Sequence, residues 1–131
     1  MGLRISASPF FLDRMDDLMK QQILRDMEIS ALCRELAMLL HAGVGVGDGL
    51  SLLAEEETAP DLRALLSDMA RQVDGGAPLS RVMETAGGFP AYAARLTKVG
   101  EEAGRTEEAL LALSGYYDAR EQMDRRLRGA L

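Results

Sequence analysis

Apolar residues return every three or four positions through almost the whole chain, and prolines and glycines cut that rhythm into helix-length segments. Leu12, Met15, Met19 and Ile23 share one side of a first predicted helix, with Ser8 ahead of Pro9 as its N-terminal cap. Ile29, Leu32, Cys33, Leu36, Leu39 and Leu40 form the strongest stripe, which stops at Gly43 with His41 in the last turn. A segment from Val46 to Glu57 turns Leu50, Leu53 and Ala54 inward. The next opens at Pro60, carries Leu62, Leu65, Leu66, Met69 and Val73, and halts at Gly75-Gly76. Pro78 opens a short helix with Leu79, Val82, Met83 and Ala86, and Phe89-Pro90 begins another with Ala93, Leu96 and Val99. Val99 to Glu107 reads as a polar, glycine-bounded turn. Beyond it a long last helix carries Leu110, Leu113, Tyr117, Met123 and Leu127.

No segment alternates with a period of two, so no sheet is predicted and the fold class is all-α. Short connections make consecutive helices antiparallel neighbours, as in an up-and-down bundle whose apolar faces meet around one core. Residues 1–28 read as an N-terminal helical extension, set off by the polar patch of Gln21, Gln22, Arg25 and Asp26. Residues 29–131 read as the bundle domain.

Length and composition agree with one folded domain: 131 residues, 47% hydrophobic and 27% charged. The low aromatic share of 5% and the absence of Trp favour helix over strand. A net charge of −6 argues against a nucleic-acid surface, which needs clustered Lys and Arg against phosphates. The single cysteine, Cys33, forms no internal disulfide, lies on an apolar helix face and suits a reducing compartment. No run approaches the ~18 apolar residues that span a bilayer, and Asp13 and Arg14 interrupt Phe10-Phe11-Leu12 before a signal-peptide core can form.

Candidate chemistry is thin. Gly43-Val44-Gly45-Val46-Gly47-Asp48-Gly49 is out of register for a dinucleotide fingerprint, follows a helix rather than a strand and lacks Gly-Lys-Ser/Thr. It reads as a loose turn, with Gly47 and Gly49 weakening the start of the following helix. His41 is the only histidine, which excludes multi-histidine metal sites. As a phosphoacceptor it would make the chain a soluble signalling bundle, the alternative functional reading; near a helix end it equally suits the helix dipole. The runs Glu55-Glu56-Glu57, Glu101-Glu102 and Glu107-Glu108 read as solvated faces, and calcium at a carboxylate pair is the only metal chemistry they suggest. No catalytic residue, cofactor site or metal site is assigned, and no enzyme is indicated.

The chain ends differently. Arg120, Arg125, Arg126 and Arg128 gather positive charge in the last dozen residues of an acidic protein, the arrangement the positive-inside rule places on the cytoplasmic side of a membrane span. The apolar side chains Phe10, Phe11 and Met15 of the N-terminal segment are candidates for a partner contact or a homodimer.

Several pieces, in order, resemble the first cytoplasmic domain of the type II secretion system protein F family. Glu35-Leu36-Ala37-Met38-Leu39-Leu40-His41-Ala42-Gly43-Val44 is similar to that family's opening helix and turn, and Leu50 to Glu55 to the helix that follows. Gly76-Ala77-Pro78-Leu79-Ser80, Phe89-Pro90 and Val99-Gly100-Glu101-Glu102-Ala103-Gly104 resemble its later landmarks, ahead of a long helix with Tyr116-Tyr117 and an arginine-rich end. Ala103, Thr106 and Gly45 depart from the usual Ser or Thr, Leu and Pro. The resemblance implies a six-helix bundle, truncated before a first transmembrane helix, in an inner-membrane platform protein of type IV pilus biogenesis or type II secretion. It implies a non-enzymatic scaffold that engages the assembly ATPase and neighbouring platform proteins. Gly43, Phe89, Pro90, Gly100, Glu101 and Gly104 are its structural signature positions in this sequence.

Overall fold

The computed structural model describes residues 24–130, and among them every regular element is an α-helix. The predicted first helix through Leu12, Met15, Met19 and Ile23, and the contact candidates Phe10, Phe11 and Met15, lie outside the described residues. Six helices follow: α1 (Asp26–His41), α2 (Val46–Glu56), α3 (Pro60–Asp74), α4 (Leu79–Ala86), α5 (Ala91–Glu102) and α6 (Thr106–Ala130).

Local chemistry sets most boundaries. Helix α1 starts at Asp26, ahead of Ile29, where the Arg25 backbone N–H donates to Glu28 Oε1 at 3.0 Å and closes the first turn. Pro60 occupies the first turn of α3, while Pro78 and Pro90 stand immediately before α4 and α5 in extended conformation. Three helices end in the same way, with the N–H two residues past the cap reaching back to a carbonyl in the last turn. These are Val44 to Leu39 at 2.9 Å, Ala77 to Gln72 at 3.1 Å and Arg105 to Gly100 at 2.7 Å.

The strongest pairing joins the two ends of the described chain, α1 against α6, followed by α2 against α3 and α5 against α4. Helices α1 and α6 run antiparallel, as three cross-links show. Asp26 meets Arg120 at 3.2 Å, Ser30 Oγ donates to the Ser114 carbonyl at 2.9 Å, and His41 meets Glu107 at 2.9 Å. Ser30 and Ser114 are buried, so that hydrogen bond satisfies polar groups that would otherwise be costly inside the core.

The core draws on all six helices, with Ile29 and Leu36, Leu50, Met69, Met83, Ala93 and Leu110 fully or almost fully buried. Thr97 is also fully buried, its hydroxyl donating to the Ala93 carbonyl at 2.8 Å. It takes the inward place that the stripe gave to Val99, which is 61% exposed. A step of four from Ala93 leads to Thr97 and a step of three from Leu96 leads to Val99, and packing against Met83 of α4 decides between them. Met123 and Leu127 are likewise exposed, because α6 runs past the start of α1 and, among the described residues, no helix lies beside its last turns.

The glycine run after α1 also differs from a loose turn. The connection is only 42–45, and Gly47 and Gly49 lie buried in the first turns of α2. A Cβ at Gly49 would come within 2.9 Å of Leu36 Cδ1, and one at Gly47 would displace the Asp74 carboxylate. Their small size lets α2 press against α1 and the end of α3.

Candidate functional site

The polar turn predicted from Val99 to Glu107 is shorter than its sequence suggests. Val99 to Glu102 remain helical as the last turn of α5, and Thr106 already opens α6. Only residues 103–105 connect the two. Gly104, at φ +70°, occupies the left-handed position that lets the chain reverse, as Gly43 does at φ +91° after α1.

Gly100 has a different role, inside the helix rather than at its boundary. A Cβ there would lie 2.5 Å from the Ala109 Cβ and 3.0 Å from the Arg105 carbonyl oxygen. Glycine therefore permits α5 and α6 to touch backbone to side chain just beyond their connection. Loss of a Cβ costs helix propensity, and close packing offsets it.

Glu101 is the polar member of this turn, and its carboxylate serves another helix. Oε2 accepts the Leu79 N–H at 2.8 Å and Oε1 accepts the Ser80 N–H at 3.3 Å. Those are the first two amides of α4, whose preceding residue is Pro78, a side chain unable to cap. A negative charge at the positive end of α4 also complements that helix dipole. One side chain thus binds the end of α5 to the start of α4.

The six signature positions separate into two groups. Gly43 and the Gly100–Gly104 turn share one end of the molecule, joined by the contact of His41 Nδ1 with Glu107 Oε1. Phe89 and Pro90 lie at the other end. There they line a cavity of about 510 Å³ together with Asp26, Arg120, Asp124 and Arg128. Phe89 packs its half-buried ring against the core. At this end three of the four arginines are paired, Arg120 with Asp26, Arg125 with Glu121 at 3.5 Å and Arg128 with Asp124 at 2.8 Å.

Neither end assembles a reacting constellation among the described residues. Glu55, Glu56, Glu102 and Glu108 are exposed, and Glu57 closes a local turn by accepting the Ala59 N–H at 3.0 Å. No group of three or more His, Cys, Asp and Glu residues able to hold a metal occurs there. Cys33 is fully buried, and desolvation pushes its thiol up to about 12, the opposite of an activated nucleophile. Tyr117 is fully buried and its hydroxyl has no hydrogen-bond partner among the described residues; burial, followed by neighbouring Tyr116, pushes it up to about 12.

Sequence reasoning missed a surface feature. Met38 on α1, Leu52 on α2 and Leu111 on α6 are large, apolar and exposed. Met38 follows Leu36 and Ala37 in an apolar run, and only the three-dimensional pairing shows which members face outward. No described helix is long and apolar enough to cross a membrane.

The comparisons with known proteins converge. The model of the family described as type II secretion system (T2SS), protein F, matches residues 32–131. A protein transport protein HofC homolog of Escherichia coli (strain K12) is 30% identical over 98 residues, 74% of this chain and 24% of that protein. A type IV pilus assembly protein TapC of Aeromonas hydrophila is 24% identical over 109 residues, covering 82% and 26% of the two chains. A type II secretion system protein F of Aeromonas hydrophila is 29% identical over 108 residues, covering 79% and 27%. The chain spans about a quarter of the length of these curated relatives. With the matched region taking in nearly all of the described bundle, the chain belongs to the type II secretion system protein F family.

Proposed function

We propose that this domain is a non-enzymatic cytoplasmic scaffold of an inner-membrane platform protein, which couples an assembly ATPase to pilin or pseudopilin assembly. The observation that carries the reading is the family match over residues 32–131, together with relatives named for pilus assembly, protein transport and type II secretion. The bundle supports it physically. Its signature residues hold helix ends and helix contacts, through Glu101 on α4, Gly100 against Ala109 and the glycine turns at 43 and 104. Gly43, Phe89, Pro90, Gly100, Glu101 and Gly104 act in this reading by shaping the scaffold. The arginines at the far end of α6 suit the cytoplasmic edge of a membrane span.

The test is co-purification of the parent protein from membranes with the assembly ATPase encoded by the same bacterium. The expected result is a complex that survives detergent extraction, together with loss of surface pili or of secreted substrate when this domain is deleted. An ATPase that never co-purifies, with pili and secretion intact after the deletion, would overturn the reading.

A further inference from the structure

The groove beside α1 has a composition that selects what can fill it. Glu28, Ala31, Leu32 and Glu35 of α1 face Leu53 of α2 and Leu62 of α3 across a cavity of about 200 Å³. Glu35 and Leu53 also border a second cavity of about 390 Å³, closed by Met38, Leu39, Leu52 and Glu56. The two cavities form one trough along α1 from Glu28 to Leu39, ~16 Å at 1.5 Å per residue, or three helical turns. Its floor is apolar, and Met38 and Leu52 stand 63% and 44% exposed on its lip. Every charged residue that lines it is a glutamate: Glu28, Glu35, Glu56 and Glu57. Among the described residues, Glu35 and Glu56 are paired with no basic group.

We propose that this trough docks an amphipathic helix of a partner protein whose Leu or Met stripe is flanked by Lys or Arg. A helix laid in an apolar groove is a recurring recognition mode, and three turns supply the i, i+4, i+7 anchors it uses. The glutamate rim supplies complementary charge for a basic helix and repels an anionic lipid surface or a nucleic acid. A second copy of this chain is the weaker occupant. Its basic helical stretch among the described residues is the end of α6, where three of the four arginines, Arg120, Arg125 and Arg128, are engaged within their own chain by Asp26, Glu121 and Asp124. The inference stands on the trough itself and does not depend on the assembly role.

The experiment titrates the purified chain with a labelled two-heptad leucine–lysine helical peptide and with its leucine–glutamate counterpart, following anisotropy at several salt concentrations. The expected result is saturable binding of the lysine peptide alone. Met38→Asp and Leu52→Asp each weaken it by about tenfold or more, and Glu35→Gln with Glu56→Gln flattens its salt dependence. Glu84→Gln, an exposed acid on α4, leaves it unchanged. Matching thermal melts show that these surface variants fold. Binding indifferent to Met38 and Leu52, which would be general attraction to a chain of charge −6, overturns the proposal. Equal binding of the glutamate peptide also overturns it. So does a dimer in sedimentation that Met38→Asp dissolves, which would assign the trough to a second copy.

Discussion

The carboxylate of Glu101 receives the backbone N–H of Leu79 at 2.8 Å, so a residue at the end of one helix caps a helix that begins 22 positions earlier in the chain. Glu101→Ala leaves two amides of α4 without that acceptor and is expected to cost about 1–2 kcal/mol in urea unfolding. Glu101→Gln keeps an acceptor and loses the charge, so its loss falls between that of the parent and the alanine variant. Equal stability of all three would show that the cap carries no energy.

Gly100→Ala drives a methyl into Ala109 and the Arg105 carbonyl, an overpacking expected to cost about 1–3 kcal/mol. Ala109→Gly alone costs about 1 kcal/mol in helix propensity. In the double variant the methyl–methyl collision is gone, so the combined loss is smaller than the sum of the two. Strict additivity in the double-mutant cycle would place the strain elsewhere.

These two residues show where the sequence is readable and where it is not. Proline and glycine act on their own backbone, so the starts at Pro60, Pro78 and Pro90 and the reversals after Gly43, Gly76 and Gly104 follow from local rules. The all-α class follows from periodicity, which the described residues bear out. Periodicity names an apolar face without naming its partner, so the dominant pairing of α1 with α6 was not legible, nor was the choice of Thr97 over Val99. Glu101 looked like part of a solvated acidic turn because its partners are distant in sequence. Gly100 looked like a turn residue because a glycine chosen for close approach and one chosen for its backbone angles are the same letter.

Tyr117→Phe removes a buried hydroxyl that has no hydrogen-bond partner among the described residues, while keeping the ring and its edge-on contact with Tyr116 at 4.9 Å. Relief of that desolvation is expected to stabilise the protein by about 1 kcal/mol. A lower melting temperature for the variant would show that the hydroxyl is satisfied.

Alkaline pH should weaken the fold. Cys33 rises in the folded state from 9.0 to about 12, and Tyr117 from 10.0 to about 12, both chiefly by burial. Below about pH 9 both groups are protonated in folded and unfolded chains alike, and this contribution is fully present. Above it the unfolded chain releases protons that the folded chain retains, so stability falls steadily towards about pH 12. Urea midpoints at about pH 8 and about pH 10.5 should differ, and Cys33→Ala should shrink the difference. In the native protein at the lower pH, Cys33 should resist iodoacetamide until denaturant is added; rapid alkylation would contradict its burial.

The antiparallel clasp of α1 and α6 has a mechanical consequence. Helix α6 is 25 residues long, ~37 Å from end to end, and its first three-fifths are pinned to α1: near the glycine turns by Glu107, then by Ser114, and just past the middle by Arg120. Three fastenings along one rod prevent it from pivoting about any single one. A displacement applied at the glycine turns is therefore carried as a translation along the fastened part as far as Arg120, where the last turns of the helix project beyond α1. The domain is built as a strut.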